Sequence, residues 1–555
     1  MDRRTVGWLK TTRVRDTQWM KRIATRTAPP PRFLALLAAA LFMLMAAPSF
    51  AGPAADTAPA DLPALGARID AIIHQPRFAH ADWGIAVVSL DNGRTLYAHR
   101  AGRLLLPAST AKLYTAALVL DTVGAGYRIP TRLLGAGPLR QGRLEGPLVL
   151  YGMGDPTLGT TGADWASRLA EQLAAHGVRR VRGDLVADDS YFAGPAIGSG
   201  WEAGDLQSWF AVPTSALSVG ENVVAAILHP GDQPGRPARL SFEPGDAMPS
   251  LANTMTTGAR GMPADVNLYR APGSDTLYAF GSVPAGMAAQ RYRLAVADPA
   301  LLAGKRLRRA LAAHGVRVDG RVRVLHWPGD DRALLAHAQV LGEVLSPPLL
   351  EVLASGLKRS QNLYLQNLLQ IAGVKARADA SAEPPRGFRS SEGWGLHALR
   401  QLLDRIGIPP SAALLEEGTG LSRQDLTTPD ALVRLLQYLA AQPYAAQLRD
   451  ALPIAGTDGT LQWRMRDAPA AGNVHAKTGS MTYVDCLAGY VTTAAGEHLA
   501  FAIMLNNYRR PDDAPRTSRD LDAIAGLLAA FRGDGAAPGR QPVRDQAPPA
   551  SPFHP

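Results

Sequence analysis

Apolar residues recur at helical period through residues 62–74 (LPALGARIDAIIH), directly after a stretch rich in Ala and Pro, so a helix is expected there. Two β-type runs follow, 85–90 and 94–99, joined by Asp91-Asn92-Gly93, and Asn-Gly readily takes the left-handed backbone of a tight hairpin. The far end of the chain mirrors this. Runs 483–493 and 498–507 are apolar and rich in β-formers, split by Ala494-Ala495-Gly496-Glu497, and a helical pattern covers 521–531. A hairpin and a helix at each end predict one mixed α+β domain, closed by pairing the N- and C-terminal strands in a single antiparallel sheet.

Between these ends the texture changes. Residues 131–339 hold many short β-like runs broken by Gly and Pro, which predicts an inserted β-rich region of two small domains within a discontinuous domain of 52–130 plus 340–535. Inside it, Arg168-Leu169 with Ala174-Ala175-His176-Gly177-Val178-Arg179 nearly repeats as Arg306-Leu307 with Ala312-Ala313-His314-Gly315-Val316-Arg317. Each copy reads as an amphipathic helix, a Gly able to take the left-handed cap, and a Val-rich strand. Duplication and a shared way of stopping a helix both explain it. His176 and His314 then sit where a helix C-terminus favours a cation, which gives neither a catalytic role.

Composition changes the picture mainly at the N-terminus. The chain has 555 residues, too many for one core, and a formal net charge of +10. Nine basic and two acidic residues fall within 1–51, so everything after carries only +3, and no basic stripe on the folded part supports nucleic-acid binding. Residues 33–47 (FLALLAAALFMLMAA) are shorter than the ~20 needed to span a bilayer and lead into Pro48-Ser49-Phe50-Ala51. Residues 1–51 are therefore expected to be a signal peptide cleaved after Ala51, with an uncleaved anchor as the alternative. Met20, followed by Lys21-Arg22, offers a leader of more usual length. No later segment is apolar enough to cross a membrane, so an exported, periplasmic chain is expected. Residues 536–555, rich in Pro and Ala, read as a disordered tail. Cys486 is the single cysteine, so no intrachain disulfide forms, and no Cys/His cluster has metal spacing.

Three short motifs carry the chemistry. Ser109-Thr110-Ala111-Lys112 opens the apolar helical stretch 113–120; at i and i+3 the Lys112 amine reaches the Ser109 hydroxyl, and a helix N-terminus favours a developing oxyanion. An amine acts as a base only if burial or positive neighbours depress its pKa. A second Ser-x-x-Lys, Ser355-Gly356-Leu357-Lys358, lies within a helical run, where Ser355 reads as a packing residue. Lysine is scarce: seven of the 58 basic residues are Lys, and since Arg cannot deprotonate, those retained are enriched for chemistry. Ser360-Gln361-Asn362 places a hydroxyl and a carboxamide two apart before the helical run 363–371; a helix cap is the plain alternative. Lys477-Thr478-Gly479-Ser480 leads into the C-terminal hairpin. There Lys477 would point into a cleft, Gly479 would let a substrate backbone lie close, and the Ser480 amide would join that of Ser109 as an oxyanion donor. His475 reads as a strand-edge side chain.

Ser-x-x-Lys, Ser-x-Asn and Lys-Thr-Gly in this order resemble the penicillin-binding proteins and serine β-lactamases. The 251 positions from Ser109 to Ser360 and 117 from Ser360 to Lys477 leave room for an insertion that a compact β-lactamase lacks. The chain is most similar to the class C low-molecular-mass penicillin-binding proteins, the D-alanyl-D-alanine carboxypeptidase/endopeptidases of peptidase family S13, over residues 62–531. Gly154-Asp155-Pro156-Thr157-Leu158, Gly183-Asp184-Leu185, Asp189-Ser190-Tyr191-Phe192, Ser215-Ala216-Leu217-Ser218 with Asn222, and Gly420-Leu421-Ser422-Arg423 agree with it. Glu417-Gly418-Thr419-Gly420 departs from the family's Asp-Gly-Ser-Gly, and Gln361 replaces a common Asp.

The resemblance implies an α+β serine β-lactamase/transpeptidase-like domain, an antiparallel sheet flanked by helices, with inserted β-rich domains. By the same resemblance Ser109 attacks a D-Ala-D-Ala bond or a D-Ala-meso-diaminopimelate cross-link in peptidoglycan stem peptides, with Lys112 as base and Ser360 passing a proton to the leaving amine. Asn362 holds the substrate amide, Lys477, Thr478 and Gly479 bind the substrate's terminus, and β-lactam antibiotics are covalent inhibitors. No cofactor or metal is implied. Asp155 within reach of a cationic substrate group is weighed against turn capping. A β-lactamase of the same fold and a non-catalytic peptidoglycan-binding relative are the alternatives.

Overall fold

Asp61 precedes the first helix in extended backbone and its carboxylate accepts from the Ala64 amide at 2.8 Å, with Pro63 in the first turn, a combination that starts a helix. The computed structural model describes residues 61–533 except 161–163, 248, 381–387, 468, 513 and 515; the expected signal peptide and tail lie outside the described residues. Helix Leu62–Ile73 buries Leu65, Ile69 and Ile73, one stripe at i and i+4. The last helix, Ser518–Ala530, buries Leu521, Ile524, Ala525 and Leu528. Both cover one face of a five-stranded antiparallel sheet ordered Thr95–His99, Asp82–Ser89, His498–Asn506, Val484–Thr492, His475–Met481.

The central strand shows why the sheet holds both ends of the chain together. Leu499, Phe501, Ile503 and Leu505 pack towards the terminal helices, while Ala500, Ala502 and Met504 face a second core built with helices Lys112–Val123, Asn362–Asp379 and Pro429–Ala440. Alternate side chains thus enter different cores, and burial on both faces explains the unbroken apolar run in the sequence. The small Ala residues fall on the face that receives the site-bearing helices.

The insertion holds more than strands. Val322–Leu325, Leu185–Asp188, Leu148–Gly152, Pro130–Gly135 and Gln339–Leu345 form a mixed sheet whose first three strands run parallel. The near-repeat proves to be two helix–strand units side by side. Helices Trp165–Ala175 and Pro299–Ala313 each end before a left-handed Gly, Gly177 (φ 77°) and Gly315 (φ 74°), and the strands after them pair with each other in parallel. Pairing of Gln339–Leu345 with Pro130–Gly135 carries this sheet past the expected seam at 339. The remainder is mostly β: Val223–His229 lies between Arg239–Glu243 and Gln290–Ala295, and a four-stranded sheet gathers around Thr276–Pro284. Among the described residues no helix is long and apolar enough to cross a membrane.

Candidate active site

Asn506, at the end of the central strand, accepts from the Leu106 amide at 2.8 Å and donates to the Leu106 carbonyl at 3.1 Å, clamping the segment that enters the first motif. The chain then turns through a 3₁₀ segment, Ala108–Ala111, before helix Lys112–Val123, so Ser109 sits in the turn one residue after Ala108 (φ 45°) rather than at the helix start. Ser109 is half-buried and Lys112 fully buried. Lys112 Nζ contacts three oxygens: Ser109 Oγ at 2.8 Å, Asn362 Oδ1 at 2.5 Å and the Thr419 carbonyl at 2.7 Å. Burial pushes the Lys112 amine down to about 7, opposed by the charges of Glu417 and Asp425. The condition for an amine to act as a base is met.

The second and third motifs meet the first. Ser360 stands at φ 54°, a left-handed position rare for Ser and found where a site over-determines the backbone. Its Oγ accepts from Lys477 Nζ at 2.9 Å, and Lys477 also donates to the Thr478 carbonyl at 2.7 Å. Lys477 is fully buried, and burial first, then the charge of Lys112, lowers its pKa well below the usual lysine range. Thr478 Oγ1 lies 2.8 Å from Thr460 Oγ1 at the exposed end of the site. Strand His475–Met481 is the sheet edge. Ala476 donates outward to the Pro453 carbonyl, so by the two-residue period the Thr478 and Ser480 amides also face the open edge.

Two of the expected site residues are also engaged by the protein itself. Asn362, expected to hold a substrate amide, uses both amide atoms within the protein: Oδ1 on Lys112 and Nδ2 on the Phe210 carbonyl at 2.7 Å. Gly479, expected to make room for substrate, also makes room for its own chain, since a Cβ there would stand 2.7 Å from the Pro107 carbonyl oxygen. Gly420 (φ 78°) is tighter still, with a Cβ 1.8 Å from the Ala108 carbonyl oxygen. The other candidates are accounted for elsewhere. Lys358, of the second Ser-x-x-Lys, pairs with Asp458 at 2.5 Å and the Leu452 carbonyl at 3.0 Å. Asp155 caps its own turn through the Thr157 amide (2.8 Å) and hydroxyl (2.6 Å), and burial raises it to about 6. His475 Nδ1 lies 3.2 Å from the Arg449 carbonyl. Cys486 is buried opposite Gly479, its thiol pushed up by burial, so it packs rather than reacts.

The sequence did not point to the insertion's part in the site. Besides Phe210, Glu221 (φ 59°) accepts from Gln361 Nε2 at 3.0 Å, Tyr364 Oη at 3.3 Å and Arg359 Nη1 at 2.6 Å, gripping both neighbours of Ser360. Glu221→Asn keeps a residue that tolerates this backbone but shortens its reach. It is expected to slow acylation by benzylpenicillin by roughly 10- to 100-fold through a misplaced Ser360 loop, with the thermal midpoint little changed. A time course of adduct mass measures it, and an unchanged rate would show that the grip is idle.

The model of the family described as D-Ala-D-Ala carboxypeptidase 3 (S13) matches residues 65–530. The chain is 35% identical over 506 residues to the D-alanyl-D-alanine carboxypeptidase of Actinomadura sp. (strain R39), covering 89% of this chain and 90% of that one. It is 28% identical over 446 residues to the D-alanyl-D-alanine carboxypeptidase DacB of Haemophilus influenzae, covering 79% and 88%. Among solved structures, penicillin binding protein 4 (dacB) from Haemophilus influenzae superposes with a TM-score of 0.73 at 25% identity, over 83% of this chain and 99% of that one.

Proposed function

The chain belongs to the D-Ala-D-Ala carboxypeptidase 3 (S13) family, and from that membership and the site we propose a serine-type D-Ala-D-Ala carboxypeptidase that cuts peptidoglycan stem peptides through an acyl-enzyme on Ser109. One observation carries the assignment: the half-buried Ser109 hydroxyl lies 2.8 Å from an amine that burial brings to about 7. Ser109 Oγ attacks the penultimate D-Ala carbonyl carbon while its proton passes to neutral Lys112. The oxyanion forms against the Ser109 and Ser480 amides. The proton taken by Lys112 passes on through Ser360, held by Lys477, to the leaving amine, the C–N bond breaks, D-alanine departs and an ester remains. Lys477 and Thr478 bind the terminal carboxylate, and Asn362 fixes Lys112. Water then hydrolyses the ester. A β-lactam offers the same carbonyl, but its leaving amine stays tethered. Such a substrate lies outside the cytoplasmic membrane, which agrees with the basic, then apolar, stretch ending at Ala51.

Intact mass and peptide mapping after incubation with benzylpenicillin test the reading. A lasting adduct on the peptide carrying Ser109 is expected, with release of D-alanine from a pentapeptide muropeptide. Conversion of cross-linked dimers to monomers in the same digest would add the endopeptidase cut. Rapid drug loss without an adduct would indicate a β-lactamase instead, and neither adduct nor drug loss in folded protein would indicate a binding relative.

A further inference from the structure

Three acidic side chains are packed beneath the site, and the reaction above uses none of them. Glu417 and Asp425 are buried, 1% and 0% exposed. Glu392 lies nearby in helix Ser391–Arg405, raised to about 7 by burial, and accepts from Gln366 Nε2. Glu417 is the most heavily bonded. Its Oε1 accepts from the amides of Gly420 (2.5 Å), Leu421 (2.9 Å) and Ser422 (3.5 Å), and its Oε2 from the Thr419 amide (2.9 Å) and Trp201 Nε1 (3.2 Å). One carboxylate thus folds the turn of residues 418–422 around itself. The turn is fastened to both site-bearing helices: Thr115 Oγ1 donates to the Gly418 carbonyl at 2.8 Å, and the Gly418 amide donates to Gln366 Oε1 at 2.8 Å.

The turn matters because of the chemistry of a neutral amine. Uncharged Lys112 has two N–H donors and one lone pair, yet three oxygens surround it. Asn362 Oδ1 and the Thr419 carbonyl can only accept, so they take the two hydrogens. The lone pair is left facing the one partner that has a proton to give, Ser109 Oγ. Aim of the Thr419 carbonyl is therefore aim of the base.

Asp425 completes the arrangement. Its Oδ1 accepts from the Glu416 amide at 2.7 Å, while Oδ2 is buried without a donor. A buried carboxylate oxygen left bare is costly, whereas a protonated one has a partner in Glu417. Two carboxyl groups in contact then carry one proton and one negative charge.

We propose that Glu417 is a positioning residue of the acylation step, with Asp425 its proton-bearing partner: the Glu417 carboxylate shapes the turn that aims the Thr419 carbonyl at Lys112 and supplies the one negative charge of the pair. The inference rests on the proposed function, because it concerns the base of that reaction. The charged groups facing Lys112 are Lys477 from the edge strand and Glu417 with Asp425 from the loop; Glu416 and Glu392 lie behind the pair. The negative charge supports the basicity of Lys112 against its burial, so losing it lowers the pH at which the amine becomes free.

The test is the pH dependence of the acylation rate constant with benzylpenicillin in the full chain. Wild type is expected to rise through about pH 7. Glu417→Gln is expected to acylate at least ~10-fold more slowly at pH 8, with its acid limb moved towards about pH 6. Glu417→Asp keeps the charge and should keep the limb, whatever its rate. Asp425→Asn imitates the protonated partner and should also leave the limb in place. An unmoved limb in Glu417→Gln, or a limb that moves in Asp425→Asn, overturns the inference while wild-type acylation stands. If Glu417→Gln does not fold, Asp425→Asn and Glu417→Asp decide it. Wild-type protein that forms no adduct would overturn the proposed function, and this inference with it.

Discussion

Ser109→Ala is expected to form no adduct with benzylpenicillin and to release D-alanine from a pentapeptide some 10⁴- to 10⁶-fold more slowly than wild type, the loss typical of removing a covalent nucleophile. Neither Ser360 nor Thr478 stands ready to replace it. Ser360 Oγ is held by Lys477, and Thr478 Oγ1 by Thr460, while Lys112 is aimed at Ser109. The substitution removes one half-buried oxygen from a turn whose shape is set elsewhere, by Asn506 on Leu106, by Thr110 Oγ1 on the Pro107 carbonyl at 2.7 Å and by the close approach of Gly479. Folding stability should therefore stay within about 0.5 kcal/mol, so loss of function is not loss of fold. Intact mass after drug treatment and a denaturant titration measure the two quantities on one preparation. A stoichiometric adduct on the alanine variant would move the nucleophile elsewhere and undo the assignment.

Motif order and lysine scarcity led to side chains that the fold brings together, and the reason is chemical. Of the five lysines after residue 51, Lys112 and Lys477 are fully buried, whereas Lys305 is exposed and Lys358 and Lys375 pair with Asp458 and Asp379. A chain that uses Arg for its surface cations keeps Lys where Arg will not serve. The sheet was legible for a related reason: apolar, β-rich runs forming a hairpin at each end leave little choice of partner. What was not legible depends on backbone. The Thr419 and Phe210 carbonyls carry no side-chain signal, and the left-handed Ser360 and Ala108 are residue types that rarely announce such a conformation. Asn362 was visible as a carboxamide, but its engagement at both ends was not, because one partner comes from the insertion. Glu417 stood out in the sequence only as a departure from a family pattern, and its partner Asp425 lies eight positions on.

Lys112→Met is expected to lower acylation by roughly 10²- to 10⁴-fold and to erase the rise through about pH 7. The sign follows from burial. Below about pH 7 the amine is protonated and cannot accept from Ser109; above it the lone pair is free, so wild-type rate climbs with pH while the methionine variant has nothing to titrate. Methionine fills the lysine's volume without its charge, and the Asn362 oxygen and Thr419 carbonyl lose a donor, so some stability is lost at that end. Against this, the variant escapes the cost of a buried lysine, and that cost has its own pH dependence. The amine releases its proton near 7 in the fold and at its ordinary 10.5 in the unfolded chain, so between these values the unfolded state binds more protons and wild-type stability rises with pH. Denaturant midpoints of the two proteins, measured side by side at pH 6 and pH 10, should therefore shift in favour of wild type at the higher pH. Rate and stability then report the same proton. If the methionine variant kept the step near pH 7, the titrating group would lie elsewhere, and Lys112 would not be the base that takes the Ser109 proton.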